Sequence, residues 1–215
     1  MEHTRKLHTW GGFLLLLVLL VTFLIWNLLA GSVRLPASEI WASLHGGGDL
    51  TQRRILLNIR LPRLLAAMIL GGALSVSGFL LQTFFHNPIA GPFVLGISSG
   101  AKFTVAVTMI LLLSRGVTSS SAALIAAAFV GAMLSMGFVL LISRRVRRMS
   151  LLVVCGVMIG YICSAVTDIV VAFAQDSNIV NLHNWSMGSF SGMTWGNVAA
   201  AALVVLPCLA AAFLL

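Results

Sequence analysis

Charged side chains are scarce in this chain, at 8% of 215 residues against 60% hydrophobic, and the mean hydropathy is +1.07. A water-soluble surface needs roughly a quarter of its residues charged, so a soluble globular protein is excluded. The signatures of catalysis are missing too: there is no glycine-rich phosphate loop with its Lys, no His and Glu pair on one helix face, and no nucleophile beside a plausible base. An enzyme is not expected. The cysteines Cys155, Cys163 and Cys208 all fall inside apolar runs without metal-ligand spacing. They read as small hydrophobes, so neither a metal site nor a cofactor is expected, and His183, isolated in a polar segment, reads as solvated. A net charge of +8 invites a nucleic-acid reading. That reading fails, because the basic residues divide between the two sides of a membrane arrangement and no aromatic stacking platform accompanies them.

What the chain has instead is long apolar runs. A helix of about 20 apolar residues crosses the hydrocarbon core, and six segments fit: 11–30, 64–82, 94–113, 121–143, 151–174 and 197–215. The expected fold class is all-α, a polytopic helical membrane protein with one transmembrane domain over residues 1–215. Arg5 and Lys6 precede the first run as in a signal peptide. The run is longer than a signal's apolar core of about 7–15 residues, so a retained first span is expected.

Orientation follows from the asymmetry of Lys and Arg. With the N-terminus cytoplasmic, Arg5, Lys6, Arg144, Arg145, Arg147 and Arg148 lie inside and Arg34, Arg53, Arg54, Arg60, Arg63 and Arg115 outside, six against six. The density of arginines between Arg144 and Arg148 favours a cytoplasmic N-terminus, and the segment from Gln175 to Trp195, with Asp176 and no Lys or Arg, suits the outer side. The arginines from 53 to 63 then need a reason. Snorkelling at the interface is one. An acidic soluble partner on the outer face is another, since complementary charge fixes register and speeds encounter.

Small residues crowd the spans: Gly71, Gly72, Ser75, Ser77 and Gly78 in the second, Gly131 and Ser135 in the fourth, and Gly156, Gly160 and Ser164 in the fifth. Close backbone approach drives helix association in lipid, so a tightly packed bundle is expected. Between the second and third spans, Pro88 and Pro92 forbid a regular helix, and Asn87 suits a turn or cap. Irregular backbone near a membrane is tolerated where it is buried in protein or lines a wet cavity, which makes this connection a candidate gate. The following helix is expected to start near Gly96-Ile-Ser-Ser-Gly100, with Ser98 or Ser99 as cap or its free N–H groups facing an anion. Lys102 and Asp168 are ionisable residues inside spans and therefore functional candidates. Lys102 lies roughly 12 Å and Asp168 roughly 25 Å from the inner ends of their spans, too far apart in depth for a direct pair.

Together, Arg60-Leu-Pro-Arg63, Gly78-Phe-Leu-Leu-Gln82, Asn87-Pro-Ile-Ala-Gly-Pro92, Leu95-Gly-Ile-Ser-Ser-Gly-Ala101 and Trp185-Ser-Met-Gly-Ser-Phe-Ser-Gly-Met-Thr-Trp195 resemble the permease subunits of the bacterial ATP-driven importers for iron siderophores, haem and cobalamin, in order from about residue 30 onward. The resemblance implies a ten-helix, multi-pass permease of the cytoplasmic (inner) membrane, about six of whose helices are present here. It implies pairing with a second permease, as homodimer or heterodimer, two cytoplasmic ATPase subunits that hydrolyse ATP, and an extracytoplasmic substrate-binding protein. Arg60 and Arg63 match the arginines that face acidic residues of the binding protein. Asn87, Pro88 and Ile89, together with the start of the fifth span near Ser150, match the inner gate. Ser98, Ser99, Asp168, Trp185, Met187 and Ser189 become candidate pathway residues, and a ferric siderophore the expected cargo, with haem or cobalamin as alternatives. The chain is expected to be C-terminally incomplete, stopping within its sixth span before the family's ATPase-contacting helix. A truncated sequence, a fragment completed by another chain and a nonfunctional remnant all fit that, and the chain by itself is not expected to couple ATP hydrolysis. Lys102 and Asp168 depart from the family pattern. A proton-coupled secondary transporter using Asp168 and a non-transporting membrane scaffold are the rival readings.

Overall fold

The computed structural model describes residues 2–113, 115–117, 120–146, 149–174 and 176–214. Among these, helix accounts for nearly all regular structure and no strand forms. The helices are α1 (Glu2–Leu29), α2 (Ala37–Leu44), α3 (Leu50–Ile55), a π-helical turn (Leu56–Arg60), α4 (Leu61–Phe85), α5 (Ile97–Leu113), α6 (Ser121–Ser143), α7 (Met149–Ala172), α8 (Asp176–Met187) and α9 (Trp195–Leu214). A chain this apolar has little choice, because in lipid every backbone polar group must be satisfied within its own segment. His8–Leu29, Leu50–Phe85, Ser121–Ser143, Ser150–Ala172 and Trp195–Leu214 are long and apolar enough to cross a membrane.

Two expectations need correction, those for the third span and for His183. The third span does not run from 94: α5 covers 17 residues, about 25 Å, because Pro92 and the left-handed backbone at Gly96 (φ +72°) hold the preceding residues out of the helix. The stretch before the second span is helical. Positive φ at Gly46 and Gly48 ends α2, and the Asp49 carboxylate accepts from the Gln52 N–H at 3.1 Å, capping α3. Helix then continues through the π turn into α4. His183, expected in a polar loop, lies on α8, which is anchored by Leu182 and Trp185 on one face.

The chain divides into two compact units, residues 1–72 with 190–215 and residues 73–189. The first holds α1, α2, α3, the π turn, the start of α4 and α9, and buries Leu35, Leu56, Leu64, Ala66 and Val198. In the second, α5 packs against α6 and α7. The α5–α6 crossing is built on small residues: a Cβ on Gly100 would strike Ser135 Oγ and lie 2.7 Å from the Gly131 carbonyl oxygen, and one on Gly131 would strike the Gly100 carbonyl and Thr104 Oγ1. Thr104 Oγ1 donates across the crossing to the Ala127 carbonyl at 2.6 Å. Interhelical hydrogen bonds of this kind contribute about 0.6 kcal/mol. Thr104→Val is therefore expected to lower stability by about that amount, a small shift readable in the thermal midpoint of the detergent-solubilised protein. By contrast, on α4 nothing lies within 4 Å of a Cβ placed on Gly71, Gly72 or Gly78.

Candidate functional site

The connection between α4 and α5 is built by local rules. His86 takes the left-handed conformation (φ 48°) just past α4. Its N–H donates to the Thr83 carbonyl at 3.3 Å, and the Asn87 N–H donates to the Gln82 carbonyl at 3.1 Å. This is a Schellman ending, with His where glycine is usual. Asn87 Oδ1 accepts from the Ile89 N–H at 3.0 Å, and the Asn87 carbonyl accepts from the Ala90 N–H at 3.1 Å. Pro88, with its φ pre-set, occupies the second position of that turn.

The chain then seats itself on α7. Ala90 and Leu95 share a buried cluster with Phe85 from α4, Val139 from α6, and Leu152 and Val153 from α7. A Cβ on Gly96 would lie 2.7 Å from the Gly156 carbonyl oxygen and 2.8 Å from the Gly160 nitrogen, and one on Gly156 would lie 2.9 Å from Leu95 Cα. The loop and the helix therefore touch backbone to backbone, and this contact is what the spacing of Gly156 and Gly160 serves. Asn87 is partly buried at this end, while Pro88, Ile89 and Ser150 are exposed.

The other expected pathway residues do not converge here. Ser98 is exposed and Ser99 partly buried on the first turn of α5, followed by a partly buried Lys102. Asp168 is exposed on α7, roughly 27 Å along the helix from Ser150. Trp185 packs at a second cluster with Val105, Ala106, Met109 and Leu182, and Met187 and Ser189 are exposed beyond it.

The arginines belong to the other unit. Arg60, in the π turn, is 8% exposed, and its guanidinium donates to the carbonyls of Leu28 and Val33. Arg63, one turn into α4, is partly buried and donates from Nη2 to the Ser191 carbonyl at 2.5 Å, while its Nε is buried without an acceptor. A π turn leaves carbonyls outside the ordinary helical ladder, and Trp195 Nε1 donates to that of Leu57 at 2.9 Å. Sequence reasoning missed Leu28, Val33, Leu57, Ser191 and Trp195 as partners here. The π turn carries no sequence signal, and all of these contacts are long-range.

Fold and site together define a multi-pass helical membrane protein whose spans are interrupted by a proline- and glycine-shaped connection. Residues 17–215 match the FecCD transport family, and the chain belongs to that family. It is 40% identical over 181 residues to the vitamin B12 import system permease protein of Klebsiella pneumoniae, covering 84% of this chain and 51% of that protein. It is 31% identical over 193 residues to the hemin transport system permease protein of Yersinia pestis, covering 89% and 57% respectively. A solved structure described as an inward-facing metal-chelate type ABC transporter superposes with a TM-score of 0.74 at 25% identity, over 90% of this chain and 58% of that one. The chain thus spans about half the length of the curated relatives it matches.

Proposed function

We propose that this chain is the membrane-spanning part of an ATP-driven importer permease that admits a metal chelate across the bacterial cytoplasmic membrane, with its N-terminus in the cytoplasm. The observation that carries this reading is the seating of the Asn87–Gly96 connection against the start of α7, in a chain of the FecCD transport family. Broken backbone held against a spanning helix by glycine contacts is suited to a gate: it excludes water when seated and moves as a body when α7 moves. Asn87, Pro88, Ile89 and Ser150 form its rim. A second permease, cytoplasmic ATPase subunits and an external binding protein complete the assembly. Arg63, a partly buried cation in the first turn of α4, is suited to face an acidic residue of the binding protein.

The relatives named above carry vitamin B12 and hemin, so a corrinoid or haem is preferred over the ferric siderophore expected from sequence. The test is uptake of labelled chelate by cells in which the chain has been replaced by variants. Arg63→Glu is expected to reduce uptake at limiting binding protein, because a like charge then faces the partner's carboxylate. Asp168→Asn is expected to leave uptake within about twofold of wild type, since an exposed carboxylate outside the connection has no part in the gate. Loss of uptake in Asp168→Asn, with Arg63→Glu unaffected, would replace this reading with a proton-coupled transporter.

A further inference from the structure

The C-terminal end of α1 carries a groove that no step of the proposed import uses. From His8 to Leu29 the helix is exposed, save for partial cover on Leu24, Leu28 and Leu29. Past its end Leu35 is buried, and Ile25, Trp26, Leu29, Leu35 and Pro36 wall a groove of about 640 Å³. That volume lies within the range of about 300–1,000 Å³ usual for small-molecule sites. A second groove, of about 440 Å³, shares Trp26 and Ala30 with the first and adds Phe23 and Asn27. Of the residues lining the two, Arg34 is the only charged one, and it is exposed.

Tryptophan fixes the depth of these grooves. Trp10 and Trp26 are 16 residues apart on α1, about 24 Å, which is most of the roughly 30 Å hydrocarbon core. Tryptophan favours the headgroup level at both faces of a bilayer, so Trp26 stands where acyl chains give way to headgroups, and Arg34 follows it into the polar layer.

We infer that the two grooves hold one anionic phospholipid, its acyl chains lying against Trp26 and its phosphate on the Arg34 guanidinium. The planar fork of Arg matches two phosphate oxygens at once. A spanning helix seated in the same place would need a carboxylate of its own to meet that charge, and a carboxylate in a span is costly. A phospholipid supplies the anion and the apolar chains together, at the depth where both are wanted. The site lies within the unit formed by residues 1–72 and 190–215. It rests on membrane insertion and not on the proposed cargo or energy source.

Native mass spectrometry of the detergent-solubilised chain, titrated in turn with phosphatidylglycerol and phosphatidylcholine of the same acyl chains, tests the site. The wild type is expected to retain one phosphatidylglycerol at least about tenfold better than phosphatidylcholine, the factor that one charge-assisted hydrogen bond supplies. Arg34→Gln is expected to abolish that preference, whereas Arg54→Gln, at an exposed position on α3, should keep it. Ala30→Trp fills the wall common to both grooves without changing any charge, and is expected to lower retention of both lipids. All three substitutions fall at exposed positions, so thermal midpoints without lipid should stay near that of the wild type. Equal retention of the two lipids by the wild type, which needs no variant, would overturn the site. Equal losses in Arg34→Gln and Arg54→Gln would overturn it too, because they mark general attraction to a basic protein. In intact membranes a photo-crosslinking residue at Ile25 is expected to label lipid, and capture of a protein chain there would assign the groove to a subunit contact instead.

Discussion

Replacing Gly100 by Val is expected to separate α5 from α6 and leave little folded protein. The added Cβ would strike Ser135 Oγ and meet the Gly131 carbonyl oxygen at 2.7 Å. Overpacking costs about 1–3 kcal/mol where side chains can give way. Here one obstacle is the backbone of α6, which cannot yield without moving the helix. The crossing is reciprocal, since a Cβ on Gly131 would strike the Gly100 carbonyl and Thr104 Oγ1, so Gly131→Val should behave alike. Gly137 lies on α6 with nothing within 4 Å of its Cβ position, and Gly137→Val is the control. Size-exclusion profiles and thermal midpoints in detergent read the result: aggregation for Gly100→Val and Gly131→Val, near wild-type behaviour for Gly137→Val. A Gly100→Val protein melting with the wild type would mean that the two helices do not cross there.

The second large effect is expected at Gly96, where alanine meets two separate penalties. Its φ of +72° is left-handed, which costs an ordinary residue about 1–2 kcal/mol. The new Cβ would also lie 2.7 Å from the Gly156 carbonyl oxygen and 2.8 Å from the Gly160 nitrogen, lifting the connection off α7. Gly188 separates the two costs, because its φ is +71° but nothing lies within 4 Å of its Cβ position. Gly188→Ala should therefore show the conformational cost alone. Gly96→Ala is expected to retain membrane insertion and lose chelate uptake, whereas Gly188→Ala should lose some stability and keep uptake. Equal uptake by the two variants would remove the contact with α7 from the gate.

The long spans were legible because about 20 consecutive apolar residues have one structural outcome in lipid. The short elements were not. The helices α2 and α3 and the π turn hold the charged residues from Glu39 to Arg60, and charge there reads as a solvated segment. The N-cap at Asp49 was nonetheless a local signal that could have been found. Likewise α8 is too polar for a span, yet Leu182 and Trp185 stand three residues apart on its buried face. The connection at 87–96 was the most legible part of the candidate site, since proline, asparagine and glycine act on the backbone next to them. Its seat on α7 was half legible: Gly156 and Gly160 marked a close approach, but only the folded chain shows that Leu95 and Gly96 fill it. Arg60 was the least legible, because the Leu28 and Val33 carbonyls that bury it lie about thirty residues upstream. In the sequence it is one of a pair with Arg63, and the contrast between them exists only in three dimensions.

The energy source of chelate uptake tests the proposed function most directly. Cells depending on this chain would be given labelled cyanocobalamin, and in parallel labelled hemin and a ferric siderophore, with either vanadate to block ATP turnover or a protonophore to collapse the proton gradient while ATP is maintained. An importer permease of the proposed kind should carry one of these chelates, stop with vanadate and continue with the protonophore. Uptake that continues with vanadate and stops with the protonophore, or import of all three chelates unchanged when the chain is removed, would contradict it.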